Sequence, residues 1–233
     1  MLNDNDDFIK LVLENPSKQY DAVANEFCSI ESNYSEPAFL EYISFIDFDL
    51  KGKRILDLGC GGGADIEYFN QEKQLLIYGL DNSEAMIDIA KKKVPDADIR
   101  LGEFKNMPFE SNMFDAVISQ WCIQGSVEID PIYKEIVRIL KPKGVIVFLI
   151  NSPVRQFAES KNKNYFEKEI IETNIFEDKI KLYEPLHKFE DYLSPYFLLN
   201  FDVIGFKEGV DNSCIFANNW KYPTYFILKA VLR

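Results

Sequence analysis

The sequence predicts an α/β fold: a mostly parallel sheet of seven strands, covered by helices, closed by an antiparallel C-terminal pair and topped by a helical cap. Three observations lead there. From residue 51 to about 150, short apolar runs alternate with stretches of helical period. The first run, Arg54–Leu58, passes straight into Gly59-Cys60-Gly61-Gly62-Gly63, a turn rich enough in glycine to admit a ligand closely. After residue 200, two strand-like runs follow one another with no helix signal between them, which predicts an antiparallel pair.

The elements follow in order. Residues 8–50 carry helix-like patterning with breaks near Pro16 and Pro37, and Ala38-Phe39-Leu40 with Tyr42-Ile43 supplies one apolar stripe. Arg54–Leu58 is the first strand, Leu75–Leu80 the second, Ile99–Leu101 a short third, Phe114–Ser119 the fourth and Gly144–Ile150 the fifth. Asn82-Ser83 caps a helix over Glu84–Lys93, whose last three lysines suit a helix C-terminus. Asp130-Pro131 opens another, with Ile132, Ile136, Ile139 and Leu140 on one face before Lys141-Pro142-Lys143-Gly144 stops it. Helices of this length between strands imply parallel pairing with both sheet faces covered. Residues 155–183 are rich in Lys, Glu and Asn, a composition that predicts an exposed helical insertion. Phe201–Phe206 and Thr224–Leu232 complete the strands.

Composition narrows the function. With 233 residues, 47% of them apolar, the chain can bury one large core. A net charge of −12 argues against nucleic acid and anionic membrane as partners, since both need basic surface. The four cysteines, Cys28, Cys60, Cys122 and Cys214, form no C-x-x-C pair, and there is one histidine, so no metal site is expected. No apolar run is long enough to span a bilayer, and Met1–Asp7 lacks the basic and apolar regions of a signal peptide. A cytoplasmic protein is expected.

The glycine turn alone also fits a relaxed dinucleotide fingerprint, Gly59-x-Gly61-x-x-Ala64. Asp57 breaks the tie. A carboxylate at the mouth of a pyrophosphate site would repel the ligand, whereas it suits an ammonium and a sulfonium. The turn therefore favours S-adenosylmethionine over NAD. Asp81, one β-α-β step on, can accept both ribose hydroxyls or serve as a helix cap. Met86, one turn into the next helix, lies against adenine or packs in the core.

Leu56-Asp57-Leu58-Gly59-Cys60-Gly61-Gly62-Gly63 resembles motif I of class I S-adenosylmethionine-dependent methyltransferases. Further segments match in order: Gly79-Leu80-Asp81-x-Ser83-x-x-Met86, Gly102-Glu103-x-x-x-Met107-Pro108-Phe109, Phe114-Asp115-x-Val117-x-Ser119 and Arg138-x-Leu140-Lys141-Pro142-x-Gly144. The series is similar to the small-molecule branch typified by quinone-biosynthesis methyltransferases and covers about residues 50–150. The resemblance implies a Rossmann-like domain over 1–233, with a helical cap at 1–50, a cofactor core at 51–152, a cap insertion at 153–200 and closing strands at 201–233. It also implies site roles. Gly59 and Gly61 shape the loop around the methionine moiety, Asp57 organises it and Asp81 holds the ribose. Glu103 accepts from the adenine amino group while the Phe104 N–H meets a ring nitrogen, although the family more often carries Asp-Ala there. Ser119 lies near the methionine portion, and Tyr20, in Tyr20-Asp21-x-x-Ala24, resembles a lid tyrosine.

The single histidine, His187, stands where related enzymes often carry a basic residue facing the acceptor. It is expected either as a general base or as a capping residue before a helix. Trp121 and Gln124, just past the fourth strand, wall an acceptor pocket or pack beneath the cap. Ser119-Gln120-Trp121-Cys122 lacks the Asn/Asp-Pro-Pro-aromatic pattern of amino-methylating DNA enzymes. Methyl transfer to a small-molecule acceptor is thus the expected function. Its rivals are a catalytically inactive cofactor binder acting through a partner and a nicotinamide-dependent oxidoreductase. Acceptor identity and oligomeric state are not written in the sequence.

Overall fold

A computed structural model describes residues 16–30, 36–47, 49, 51–72, 76–176, 179–211 and 221–233. Expectations for residues 1–15, for Cys214 and for the loop over 212–220 lie outside them. Two helices come first, α1 (Ser17–Ile30), which follows Pro16, and α2 (Pro37–Phe45), which opens on a proline. The alternating part follows as β1 (Arg54–Leu58), α3 (Ala64–Glu72), β2 (Leu76–Asp81), α4 (Glu84–Lys93), β3 (Asp98–Leu101), β4 (Phe114–Gln120), α5 (Asp130–Ile139), β5 (Leu140–Asn151) and α6 (Pro153–Glu159). The tail holds β6 (Ile170–Ile175), β7 (Ile180–Pro185), α7 (Phe189–Tyr192), α8 (Pro195–Asn200), β8 (Phe201–Gly209) and β9 (Tyr225–Leu232).

Seven strands form one sheet in the order β3-β2-β1-β4-β5-β9-β8. The first five are parallel, and β9 runs antiparallel to both β5 and β8. Strand order reverses between β1 and β4, which opens a crevice at their carboxyl ends. The strand windows agree with the sequence reading to a few residues, β5 excepted. It starts at Leu140 rather than Gly144, because Phe114 pairs with Leu140 before the ladder resumes at Ala116 and Val145. The extra residues bulge out, with Lys143 at φ 64°.

Both faces of the sheet are buried, as alternation along the strands requires. Leu56 and Leu58 of β1 and Ile146, Phe148 and Ile150 of β5 join one cluster with Ile132, Tyr133, Ile136 and Ile139 of α5. Ile55, Val147 and Leu149 join the other, with Phe39 and Tyr42 of α2, Ile66 of α3 and Ile87 of α4. The α5 stripe is the one read from the sequence. Each of its isoleucines, essentially withdrawn from water, contributes roughly 1.5–3 kcal/mol of apolar burial.

The insertion differs from expectation. Residues 155–183 are helical only at their start, in α6, and then form an antiparallel hairpin of β6 and β7 with Ile171 opposite Glu184 and Thr173 opposite Leu182. Ile171 and Thr173 on β6 face inward, as do Ile180, Leu182 and Glu184 on β7, and charged neighbours point out. That alternation, not the Lys/Glu composition, decides the local structure. The cap is therefore helix α1 laid beside a hairpin. Gln19 joins them through both of its amide atoms, donating to the Tyr183 carbonyl at 3.1 Å and accepting from the Tyr183 N–H at 2.9 Å.

Candidate active site

β1 ends in a turn that only glycine can make here. Gly59, Gly61 and Gly63 have φ of 78°, 48° and 84°, in the left-handed region. A Cβ on Gly59 would also overlap the Sγ and Cβ of Cys122. The turn is tied to β2: Gly59 and Cys60 donate to the Leu80 carbonyl at 2.7 and 3.1 Å, and Gly61 donates to Asp81 Oδ2 at 2.9 Å.

Asp81 is buried, and its Oδ1 accepts from Ser83 N at 2.8 Å. Burial pushes its carboxyl up, against the pull of N–H donors at Ser83, Gly61 and Asn82; nearby Asp21 pushes it further. Ser83 caps α4, its Oγ accepting from Met86 N at 3.2 Å. The same hydroxyl donates to Asp21 Oδ1 of α1 at 2.6 Å, an oxygen that also accepts from Ala85 N at 3.2 Å. Thus α1 reaches the rim of the turn through an aspartate that the sequence reading had assigned no part.

Asp57 is buried in β1 beneath the turn, and its charge joins burial in raising the thiols of Cys60 and Cys122. Met86 is buried, with its Sδ 3.6 Å from the Cys28 thiol of α1. Ser119 is buried at the end of β4, where its hydroxyl donates to the Leu58 carbonyl at 2.7 Å and ties β4 to β1. Glu103 is exposed just past β3, and the adjoining Phe104 is buried. Beside them a cavity of about 250 Å³ runs between Ser17, Lys18 and Asp21 on one side and Asn82, Gly102 and Glu103 on the other. It has the polar lining and the place, between the ends of β2 and β3, that a nucleoside needs. Tyr20 is half-buried; desolvation raises its phenol well above the ordinary range, and Glu184, Cys122 and Asp81 add to the effect.

His187 is buried, 3.1 Å from the Gln124 carbonyl through Nε2 and 3.7 Å from Asp191 Oδ2 through Nδ1. A carbonyl only accepts, so Nε2 carries the hydrogen in this arrangement and offers no lone pair. Trp121 sits at φ 52° with its ring edge-on to Tyr225, centroids 6.0 Å apart, and packs on the α2 side of the sheet.

Beyond the predicted residues, a buried polar group gathers at the carboxyl edge. Glu184 of β7 is buried and accepts from Asn151 Nδ2 at 3.1 Å, at the end of β5. The Gln124 side chain, in the turn after β4, lies near enough to favour its charged form. Inward alternation through Ile180, Leu182 and Glu184 is the sequence signal that would have located this carboxylate.

Comparison with known proteins agrees with this architecture. Residues 56–148 match the methyltransferase domain family. The chain is 30% identical over 114 residues to phthiotriol/phenolphthiotriol dimycocerosates methyltransferase 1 of Mycobacterium ulcerans, covering 48% of this chain and 42% of that one. It is 32% identical over 105 residues to ubiquinone/menaquinone biosynthesis C-methyltransferase UbiE of Campylobacter jejuni, covering 42% and 45%. The chain thus spans under half the length of these curated relatives. An S-adenosylmethionine-dependent methyltransferase structure from Mesorhizobium loti superposes with a TM-score of 0.68 at 16% identity, over 87% of this chain and 99% of that one, and so shares the fold.

Proposed function

We propose that this chain, which belongs to the class I S-adenosylmethionine-dependent methyltransferases, transfers the cofactor's methyl group to a small-molecule acceptor. One observation carries the reading: a left-handed glycine turn at the switch point of the sheet, bonded through the Gly61 N–H to a buried acid at the end of the next strand. S-adenosylmethionine is the cofactor of this class, and the residues present suit it. Gly61 presents bare backbone to its methionine portion, Gly59 makes room for Cys122 behind the turn, and the Asp57 charge beneath favours a cation. Asp81 retains lone pairs for the ribose hydroxyls, since an ionised carboxylate offers about four acceptor sites. Met86, Glu103 and Phe104 border the adenine end. Tyr20 covers the site from α1, and Ser119 holds β4 against β1 behind it.

The chain's own residues need do little chemistry. The sulfonium activates the methyl carbon, so acceleration rests on holding the acceptor in line and excluding water. The cap of α1 and the β6–β7 hairpin serves both ends. Relatives named for a phthiotriol and for a quinone support a small molecule as acceptor and do not fix which.

Thermal unfolding with added ligand tests the reading. S-adenosylhomocysteine should raise the melting temperature in proportion to the logarithm of its concentration once above its Kd, and NADH should not. Stabilisation by NADH alone would refute it. Binding of S-adenosylhomocysteine without label transfer from methyl-tritiated S-adenosylmethionine to any acceptor would leave a cofactor-binding protein.

A further inference from the structure

The buried group around Glu184 lies outside the cofactor residues and carries more acceptors than donors. Glu184 takes a hydrogen bond from Asn151 Nδ2, and the nearby Gln124 side chain favours its charged form. Gln124 Oε1 is buried and has no hydrogen-bond partner among the described residues, and the same holds for the Tyr192 hydroxyl, which also feels the Glu184 charge. A buried acceptor left unpaired costs about 1–3 kcal/mol, so such a group calls for a ligand that donates.

Its place relates it to methyl transfer. Asn151 ends β5 and Gln124 follows β4, so Glu184 stands at the carboxyl edge that also holds the glycine turn. Tyr20 and Cys122 each feel both Asp81 and Glu184, so the nucleotide end and the buried carboxylate lie within Coulombic reach of the same two side chains. Cys122 itself rests against Gly59.

We propose that Glu184 is the acceptor-side catalytic residue, and that with Gln124 Oε1 it receives the N–H groups of a small amine, which the enzyme methylates on nitrogen. The inference rests on the methyltransferase reading above. An amine meets the count better than an alcohol: it donates two hydrogens to two neighbouring acceptors, whereas a hydroxyl donates one. The amine lone pair forms the bond to the methyl carbon, the carbon–sulfur bond breaks with its electron pair remaining on sulfur, and one N–H proton passes to the Glu184 carboxylate. Products are the methylated amine, a neutral thioether and a protonated Glu184 that returns its proton to water.

Burial pushes the Glu184 carboxyl up, while Asn151, Arg155, His187 and Gln124 pull it back; it stays raised, which favours proton uptake over that of an ordinary carboxylate. Tyr20, Cys122 and Tyr192 face it as neutral groups. His187 acts at one remove. Its Nε2–H donates to the Gln124 carbonyl and its backbone N–H donates to Gln156 Oε1, so it positions the turn that carries Gln124.

The experiment uses matched probes: 2-phenylethylamine against 2-phenylethanol, hexylamine against hexanol, and glycine against glycolate. Each is added to the full chain saturated with S-adenosylhomocysteine for melting, and with methyl-tritiated S-adenosylmethionine for transfer. At least one amine should raise the melting temperature and accept label, and its alcohol or acid counterpart should do neither. Glu184→Gln should lower that transfer by ~10²-fold or more, abolish the acid limb that remains once rates are expressed per free, unprotonated amine, and keep S-adenosylhomocysteine affinity within twofold. Glu184→Asp should retain a measurable rate and the acid limb. Label on alcohols alone, no response to any amine, or a full-rate Glu184→Gln would overturn the assignment. Failure of the wild type to bind S-adenosylhomocysteine would instead strike the methyltransferase reading beneath it.

Discussion

Substituting Gly59 by alanine tests the turn on which the site depends. Two separable costs follow from its surroundings. At φ 78° a Cβ crowds the following carbonyl, about 1–2 kcal/mol for an L-residue. The added methyl also overlaps Cys122, and overpacking of this kind costs about 1–3 kcal/mol. The lower entropy of the unfolded alanine chain returns about 0.4–1 kcal/mol, leaving a net loss of about 1.5–4 kcal/mol. A second substitution separates the terms. Cys122→Ala removes Sγ yet leaves its Cβ 2.5 Å from the new methyl, so relief is partial. Cys122→Gly leaves Cα at 3.9 Å, an ordinary contact, so the overlap term should vanish and the φ term persist. Equilibrium urea unfolding of the three single and two double variants measures both. A Gly59→Ala loss within ~0.5 kcal/mol of wild type, or equal rescue by Cys122→Ala and Cys122→Gly, would show that neither cost operates as reasoned.

The nucleotide side offers two further tests. Asp81→Ala removes a charged acceptor from both the turn and the proposed ribose site, so S-adenosylhomocysteine affinity measured by calorimetry should fall by about 10- to 100-fold, equivalent to ~1.5–3 kcal/mol; unchanged affinity would move the site elsewhere. Asp21→Ala deprives α4 of an added cap and should lower stability by about 1 kcal/mol at neutral pH. Desolvation pushes the Asp21 carboxyl up, but bonds from Ser83 and Ala85 and the Lys18 charge outweigh it and hold the carboxyl below its usual value. A lowered folded value means its contribution is full above the unfolded value of about 3.9 and lost as pH falls through the folded one. The melting difference between wild type and Asp21→Ala should therefore be flat from neutral pH down to about 5 and shrink below 4; a difference that widens on acidification would contradict this.

The sheet was legible in the sequence because its signals are local. Five apolar runs, the caps at Ser83 and Pro131 and the glycine turn each specify their conformation within a few residues. Asp81 could be placed by spacing alone. The acceptor side was not legible in that way. Its members Gln124, Asn151, Glu184 and His187 come from four separate segments, and only the tertiary fold brings them together. The β6–β7 hairpin was masked by its composition: exposed Lys and Glu on alternate positions read as a solvated helix until the inward partners Ile171, Ile180 and Leu182 are counted with period two. His187 shows the same limit in reverse. Its rarity drew attention to it, but rarity carries no information on which nitrogen is engaged.

Gln19 and Asp21 are neighbours but for Tyr20, and they grip different parts of the molecule: one holds the hairpin and the other the start of α4. α1 therefore works as a single latch with two bolts. Their four hydrogen bonds, each worth about 1 kcal/mol net, add to the contact of Cys28 with Met86 and the burial of Ala24. Neither bolt can be drawn without shifting Tyr20, which feels both Asp81 and Glu184. If both ligands pass beneath α1, as the proposed site implies, their release is ordered, and it limits turnover wherever it is slower than methyl transfer.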